Sequence, residues 1–472
     1  MENITGFIKR LTAARNMTVQ ELTALLGYKS KTSIDRILSG SAGAEALTVF
    51  ETRLVNALGM TDEEKTELAY LIDCGIHGED RAAAFRELHK LLTHSTACGY
   101  ADFIVSSSDE DEITLSEYIK RRGIRRVKIY NCVYTAFFDV IRTLLRDTDA
   151  VIEQFIAPVD SEAGLVRVLC GIVDLMPYPN YSAFSYEPGR GINTGVPRGI
   201  LLVDLIVLEN AASEQPAFIV PDKICHGHIT RIAGRGIQLP DARQYEPLNR
   251  TCPAAGSVND FIAFCGMLAD MERGCATYDL KPDVCVMYIP YSVLYNAYMS
   301  SPLPPEFHIK AVIDSMRPLF ESRVANTYSK HKPTLSIMSE DALRKFARTG
   351  MTSDHMPGLR AFSVEERIAV FEQLLNAGKT NPWFELYLRK DNTLADYNIC
   401  CYADRGLYMA LNDSKYLTEY SPEVMLTPPE SFYKLFESYY REELIRCHCY
   451  TAAESQEKIA EIIESLRGIS EA

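Results

Sequence analysis

The sequence lacks any apolar run long enough to cross a bilayer. Its longest candidate, Ile200 to Leu208, is short and is broken by Asp204, whereas a membrane helix needs about 18 consecutive apolar residues. The opening Met1-Glu2-Asn3-Ile4 has no basic stretch followed by an apolar one, so no secretory signal is expected. Both absences predict a cytoplasmic chain with no membrane partner. Among 13 cysteines there is no C-x2-C pair, and the number is odd. With no export signal, the plain reading is reduced thiols in a cytosol. Several of them, Cys132, Cys170, Cys265 and Cys285, sit in apolar stretches, where a thiol packs as a small hydrophobe. Tryptophan is nearly absent, with Trp383 alone against 26 tyrosines. No fixed-period repeat occurs, which argues against a helical-repeat receptor. Positive charge is in deficit, with 49 Lys/Arg against 63 Asp/Glu and a net charge of −14. Taken whole, such a chain is repelled by nucleic acid and by anionic membranes.

What is present is an ordinary globular composition, 47% hydrophobic and 24% charged over 472 residues. The length corresponds to about three domains at roughly 150 residues each, and needs no disulfide or metal to build a core. The charge is unevenly placed. Residues 1–60 hold seven Lys/Arg and five Asp/Glu, a balance of +2 that leaves −16 for the rest. Contact with a polyanion is therefore expected to be local to the N-terminal region.

Helical spacing is clearest there. Ile4, Phe7, Ile8 and Leu11 share one face, and Asn16-Met17 ends the pattern. Thr18-Val19-Gln20-Glu21 has the form of a capping box. It opens a second helix with Leu22, Leu25 and Leu26 as its apolar face, closed by Gly27. Tyr28-Lys29 connects to Ser30, which is placed to cap a third helix. There Ile34, Ile37 and Leu38 point inward and Lys31, Thr32, Asp35 and Arg36 outward, up to Gly40. A fourth helix is expected from about Ala44 to Leu58, with Leu47, Phe50, Leu54 and Leu58 inside. A fifth starts at a second capping box, Thr61 to Glu64, and extends towards Cys74.

Two short helices joined by a tight glycine-containing turn inside a five-helix bundle make a helix-turn-helix unit. A helix of that diameter fits the DNA major groove. The run Met17-Thr18-Val19-Gln20-Glu21-Leu22, Leu26-Gly27-Tyr28, Ser33-Ile34-Asp35-Arg36-Ile37 and Gly40 resembles the lambda-repressor/Cro-like (XRE-type) DNA-binding family over residues 4–60. The resemblance implies that Gln20 meets a phosphate or a base edge. It further implies that Ser30, Lys31, Thr32 and Ser33 open the recognition helix, with Asp35 and Arg36 further along it. The stretch Gly27 to Gly40 is one residue longer than the family's usual form, so which of Lys29, Ser30, Lys31 and Thr32 touches a base stays open. The alternative is a helical bundle used for protein contacts, with Lys29 and Lys31 solvated.

The remainder predicts an α+β multidomain chain: the all-α, five-helix lambda-repressor-like domain at 1–75, then a large mixed α/β body. Its expected parts are a helical connector and acidic linker (76–112), an α/β domain (113–302) and an α+β C-terminal domain (303–472). A helix is expected from Arg81 to Leu92, and Ser106 to Glu112 reads as an exposed acidic linker. Arg125–Tyr130, Thr135–Arg146 and Val151–Ala157 give a β-α-β rhythm. Further strands are expected at Leu165–Val173, Ile200–Val207, Ala217–Val220, Val284–Ile289, Phe384–Leu388, Asn398–Tyr402 and Gly406–Leu411. Helices are expected at Phe261–Met271, Glu306–Phe320, Ser363–Ala377, Pro428–Glu443 and Ala452–Leu466.

Chemical motifs in the body are sparse. Cys225-His226-Gly227-His228 and Cys447-His448-Cys449 hold metal-ligand residue types without zinc-site spacing, so no metal is expected. Gly189 to Gly195, with Arg190, Asn193 and Thr194, is the first candidate for a small anionic effector. It lacks the Gly-Lys-Ser/Thr ending of a P-loop and otherwise reads as a turn between strands. His308-Ile309-Lys310 with Asp314 comes near an H-x-K-x4-D pattern, but the Asp is one residue early and the stretch reads as helix. Lys120-Arg121-Arg122, Arg125-Arg126 and Lys128 form the densest basic run. It is either an additional phosphate contact or a solvated edge paired with acids such as Asp109 to Glu112. No catalytic set can be assembled from spacing, and no cofactor is implied. The sequence thus predicts a bacterial-type transcription regulator that binds double-stranded DNA, as a homodimer, with a body that dimerises or senses an unknown effector. The other readings are an enzyme, or a toxin-system or phage-defence interaction protein, carrying an autoregulatory DNA-binding domain.

Overall fold

The computed structural model describes residues 3–28, 30–93, 102–107, 110–176, 178–186, 204–210, 217–221, 228–232, 245–251, 258–282, 284, 288–301, 309–328, 331–352, 360–390, 397–411 and 423–470. The chain is α+β and divides into two compact units, Met1–His89 with Asp160–Val166, and Lys90–Val159 with Arg167–Ala472.

The first unit is helical: α1 (Ile4–Ala14), α2 (Val19–Leu25), α3 (Lys31–Leu38), α4 (Ala44–Leu58), α5 (Asp62–His77) and α6 (Glu79–Thr93). The apolar spacing in the sequence becomes one core of Ile4, Phe7, Ile8, Leu11, Leu22, Leu26, Ile34, Ile37, Leu47, Phe50, Leu54, Leu68, Leu71 and Ile72. Both capping boxes form, Thr18 with Glu21 and Thr61 with Glu64. The segment 160–166 is bound within the same unit. The Asp80 carboxylate accepts the Glu162 N–H at 2.8 Å, and Arg81 forms a two-pronged ion pair with Glu162.

The second unit holds two mixed sheets. The first is built from β1 (Ile104–Ser107), β2 (Glu110–Thr114), β3 (Arg126–Tyr130), β4 (Val151–Ile156), β5 (Tyr181–Tyr186), β6 (Leu205–Glu209), β7 (Ala217–Pro221), β8 (His228–Ile232) and β9 (Tyr245–Pro247). Its order is β2-β1-β8-β7-β6-β3-β4-β5-β9. Between its strands run α7 (Leu115–Arg122), α8 (Thr135–Asp147) and α9 (Glu162–Leu175). Strands β3, β4 and β5 are mutually parallel, as the β-α-β rhythm implied.

The second sheet follows β10 (Asn249–Thr251) and α10 (Val258–Glu272) with β11 (Thr277–Lys281), α11 (Tyr291–Met299), α12 (Ile309–Tyr328), β12 (Thr334–Ser339), α13 (Glu340–Thr349), α14 (Val364–Thr380) and β13 (Phe384–Arg389). It continues through β14 (Tyr397–Tyr402), β15 (Gly406–Leu411) and β16 (Glu423–Leu426). The chain ends in α15 (Glu430–Tyr439), a π-helical stretch Tyr440–His448, and α16 (Ala452–Ser470). The order is β10-β16-β15-β14-β11-β12-β13.

The two sheets share a six-strand plan. In each, three parallel strands (β3-β4-β5; β11-β12-β13) are extended past the first strand by three antiparallel ones (β6-β7-β8; β14-β15-β16). The sheets meet at Leu248. Its N–H donates to the Ala183 carbonyl within β5, and its carbonyl accepts the Thr427 N–H beyond β16.

Several sequence expectations change. Leu165–Val173 lies within α9 rather than in a strand. Val166, Leu169, Cys170, Ile172 and Val173 are all buried, and a helix covered on most sides reads as a continuous apolar run just as a buried strand does. Of the strand expected at Val284–Ile289, residues 285–287 lie outside the described residues. Val284, Tyr288 and Ile289 pack in a core cluster, and the strand in this region is β11. Ser106 and Ser107 lie in β1 and Glu110 to Glu112 in β2, which pair antiparallel at the sheet edge, and Ser108 and Asp109 lie outside the described residues. An edge pair is held by backbone hydrogen bonds and tolerates charge. Pro302 to Pro305 and the loop of Arg190, Asn193 and Thr194 lie outside the described residues, as do Cys225 to Gly227 and His308.

Gly350 closes α13 with φ +65°, and a Cβ there would stand 2.4 Å from the Phe362 carbonyl oxygen and 2.8 Å from its nitrogen. Gly350→Ala is therefore expected to destabilise the body by more than about 1 kcal/mol, read as a lower urea midpoint. An unchanged midpoint would mean that the backbone around Phe362 retreats at no cost.

Candidate nucleic-acid interface

The segment from α2 through its turn to α3 is built from local signals. The Thr18 hydroxyl accepts the Glu21 N–H, and the Glu21 carboxylate accepts the Thr18 N–H at 2.7 Å. The Thr18 N–H and the Thr18 hydroxyl, which also donates to Glu21 Oε2, hold the Glu21 carboxyl below its ordinary range. Gly27 then takes φ +71°, a left-handed conformation that suits glycine. Of the three leucines expected on the inner face, Leu22 and Leu26 are buried but Leu25 is 50% exposed. Leu22 and Leu26 are one helical turn apart and stack on one stripe, which Leu25 misses.

The turn is held from outside. Arg53 of α4 donates from Nη1 to the Leu26 carbonyl at 3.1 Å and lies over the Tyr28 ring at 4.9 Å. It satisfies a carbonyl that the end of α2 cannot pair internally, and fixes the aromatic ring that precedes α3. The sequence reading overlooked this arginine. Its signal was its place between Phe50 and Leu54, at the margin of the inward stripe of α4.

Ser30 occupies the N-cap of α3, yet its hydroxyl makes no capping bond. The Ser33 N–H is instead taken by the Ser30 main-chain carbonyl at 3.3 Å. The far end of α3 is secured by hydroxyls. Ser39 and Ser41 both donate to the Arg36 carbonyl, and Thr5 of α1 donates to the Leu38 carbonyl. Ile34 and Ile37 are each 1% exposed. Gln20, Ser30, Thr32, Ser33, Asp35 and Arg36 are all exposed, and Lys31 opens the helix. The structure therefore brings these candidates onto α3 and the start of α2. Lys29 lies outside the described residues.

Two ion pairs brace the unit beneath this surface. Arg15 beyond α1 grips Glu64 at the start of α5 with both terminal nitrogens, at 3.1 and 2.8 Å. Arg10 pairs with Glu67 at 2.6 Å. The Arg15 bond, reinforced by the Thr61 N–H, lowers the Glu64 carboxyl to about 2 from an ordinary 4.5.

In the body, much of the basic run is engaged. Arg121 pairs with Glu117, Lys128 with Glu209 and Arg126 with Glu153, while Arg122 lies over the Tyr118 ring. Among the described side chains, the acids it meets include Glu117, Glu153 and Glu209, brought close by helix spacing and strand pairing. Cys447 is exposed at the end of the π-helical stretch and Cys449 is buried beyond it. Among the described residues no group of three potential ligands converges on a metal position, and no helix is long and apolar enough to cross a membrane.

No family model matches this chain, and no curated protein matches it. Among solved structures, yeast tyrosyl-DNA phosphodiesterase is similar at 12% identity with a TM-score of 0.16, over 70% of this chain and 90% of that one. A mutant of the same yeast enzyme gives 13% identity and a TM-score of 0.15, over 73% of this chain and 91% of that one. Likenesses at this level carry no argument about fold or function.

Two outcomes are expected from the bracing contacts. Arg53→Ala removes a hydrogen bond and a ring contact, and should cost about 1–2 kcal/mol, seen as earlier unfolding of residues 1–89 in hydrogen exchange. Glu64 binds fewer protons folded than unfolded, so its stabilisation is present above pH 4.5 and lost as pH falls towards 2. Thermal melts of wild type and Glu64→Gln should accordingly converge through that window. Parallel curves would remove Glu64 from the acid response.

Proposed function

We propose that this chain is a sequence-specific DNA-binding transcription regulator. Its first unit reads double-stranded DNA, and its α+β body dimerises and senses a small effector or a protein partner. The observation that carries the reading is the two-faced α3. Ile34 and Ile37 are sunk in the core, and Thr32, Ser33, Asp35 and Arg36 stand outside it. Such a helix presents a polar edge to base pairs while its inner side holds it at a fixed angle. The Ser30 hydroxyl does not cap the helix, and N–H groups at a helix start favour a phosphate. The +2 balance of residues 1–60, within a chain of −14 overall, makes this stretch less repelled by a polyanion than the chain as a whole.

One small module buries only about 600–1,000 Å² on DNA. A homodimer reading two half-sites, with its partner related by two-fold symmetry, is the working form. Control of expression then follows from the spacing between the two recognition helices. An effector shifts that spacing only through unequal affinity for the two arrangements.

The test is binding-site selection with the full chain, repeated after Lys29→Ala, Lys31→Ala and Thr32→Ala are combined. A preferred sequence should emerge from wild type, with affinity falling as salt rises. Each lost base contact should cost about 1–3 kcal/mol and relax the preference at its position. Identical selection by the triple variant would displace α3 from the interface.

A further inference from the structure

The body holds a polar row inside its second sheet that regulation of transcription does not use. Asp279 of β11 pairs in register with Ser336 of β12 on one side and with Cys400 of β14 on the other. All three are fully buried. Lys281 lies two residues after Asp279, so it projects from the same face, and it is 1% exposed. Tyr288 adds its hydroxyl, 2.5 Å from Ser336 Oγ and 3.4 Å from Asp279 Oδ2. Among the described residues, Asp279 Oδ1 has no hydrogen-bond partner.

Within this row the Lys281 Nζ stands 2.7 Å from the Cys400 Sγ. That is the short limit for an N–H···O bond, about 2.7–3.2 Å, and sulfur is the larger atom. The gap is the size that a single oxygen atom, bonded to both neighbours, would span without moving either strand. We propose that Lys281 and Cys400 are an oxidative cross-linking site, closed by one oxygen bridging Nζ and Sγ, with hydrogen peroxide as the oxidant.

The chemistry balances as follows. The Cys400 sulfur attacks one peroxide oxygen, the O–O bond breaks, a sulfenic S–OH forms and water leaves. The Asp279 carboxylate takes the proton that the Lys281 ammonium must shed. A second peroxide then accepts two electrons as the N–O bond forms. The sulfenic proton and one amine proton depart, and two waters are produced. Sulfur and nitrogen together lose four electrons, and the two peroxides gain two each. The product ties β11 to β14 across 119 positions of sequence, a long loop of the kind whose closure constrains the unfolded chain. Cys401, the next residue, is also buried but belongs to the opposite face, so it serves as an internal control.

The experiment takes the reduced full chain, treats it with peroxide carrying heavy oxygen, and maps peptides by mass. A Lys281–Cys400 peptide pair is expected, heavier than its parts by one labelled oxygen less two hydrogens. It should disappear on thiol reduction and be absent from Cys400→Ser. The oxidised wild-type chain should also melt at a higher temperature than the reduced one, a shift that needs no variant to fold. Recovery of Lys281 unmodified beside a free or fully oxidised Cys400 would overturn the proposal. So would a peptide pair joined without the oxygen.

Discussion

Everything the first unit offers to a ligand rests on the burial of Ile34 and Ile37 on α3. Each side chain is almost wholly removed from water, and such burial stabilises by roughly 1.5–3 kcal/mol apiece. With that stripe fixed against Leu22 and Leu26, rotation of the helix about its axis is closed off. The outward direction of Thr32, Ser33, Asp35 and Arg36 then follows from helical geometry alone. The surrounding contacts are secondary supports for the same constraint. Arg53 sets where the chain enters α3, and Thr5, Ser39 and Ser41 set where it leaves.

Several cations of the body are held by the body's own carboxylates. Lys128 with Glu209 and Arg323 with Glu272 are examples. The Arg323–Glu272 pair is deeply buried, with side chains 12% and 2% exposed, and Tyr402 reaches the same Glu272 oxygen. Groups so arranged define which helix faces which strand more than they add net stability. On the proposed reading, the phosphate backbone is met within residues 1–60, whose balance is +2.

The legible parts of the chain were those whose signals are local. Thr18 and Glu21 are three residues apart and announce their helix unaided, and so do Thr61 and Glu64. The spacing of Phe7, Ile8 and Leu11 needs no knowledge of what they pack against. The second sheet was harder because its determinants are distant. In β11 the residues Asp279 and Lys281 look like a solvent face, yet they are covered, and their partners come from Ser336 and Cys400 far along the chain. All six residues of β12 are buried, so the alternation that marks a half-exposed strand is missing. At the candidate interface the helix positions could be read, whereas Arg53 could not, since its role is defined by a turn twenty-five residues earlier.

Leu248 leaves the two sheets of the body with no seam between them. Strands β9 and β10 lie on either side of it, one in each sheet; its N–H donates to Ala183 of β5 and its carbonyl accepts from Thr427 beyond β16. A pull on the edge strand of one sheet therefore reaches the edge strand of the other through the two successive peptide units that meet at Leu248, with no loop between them.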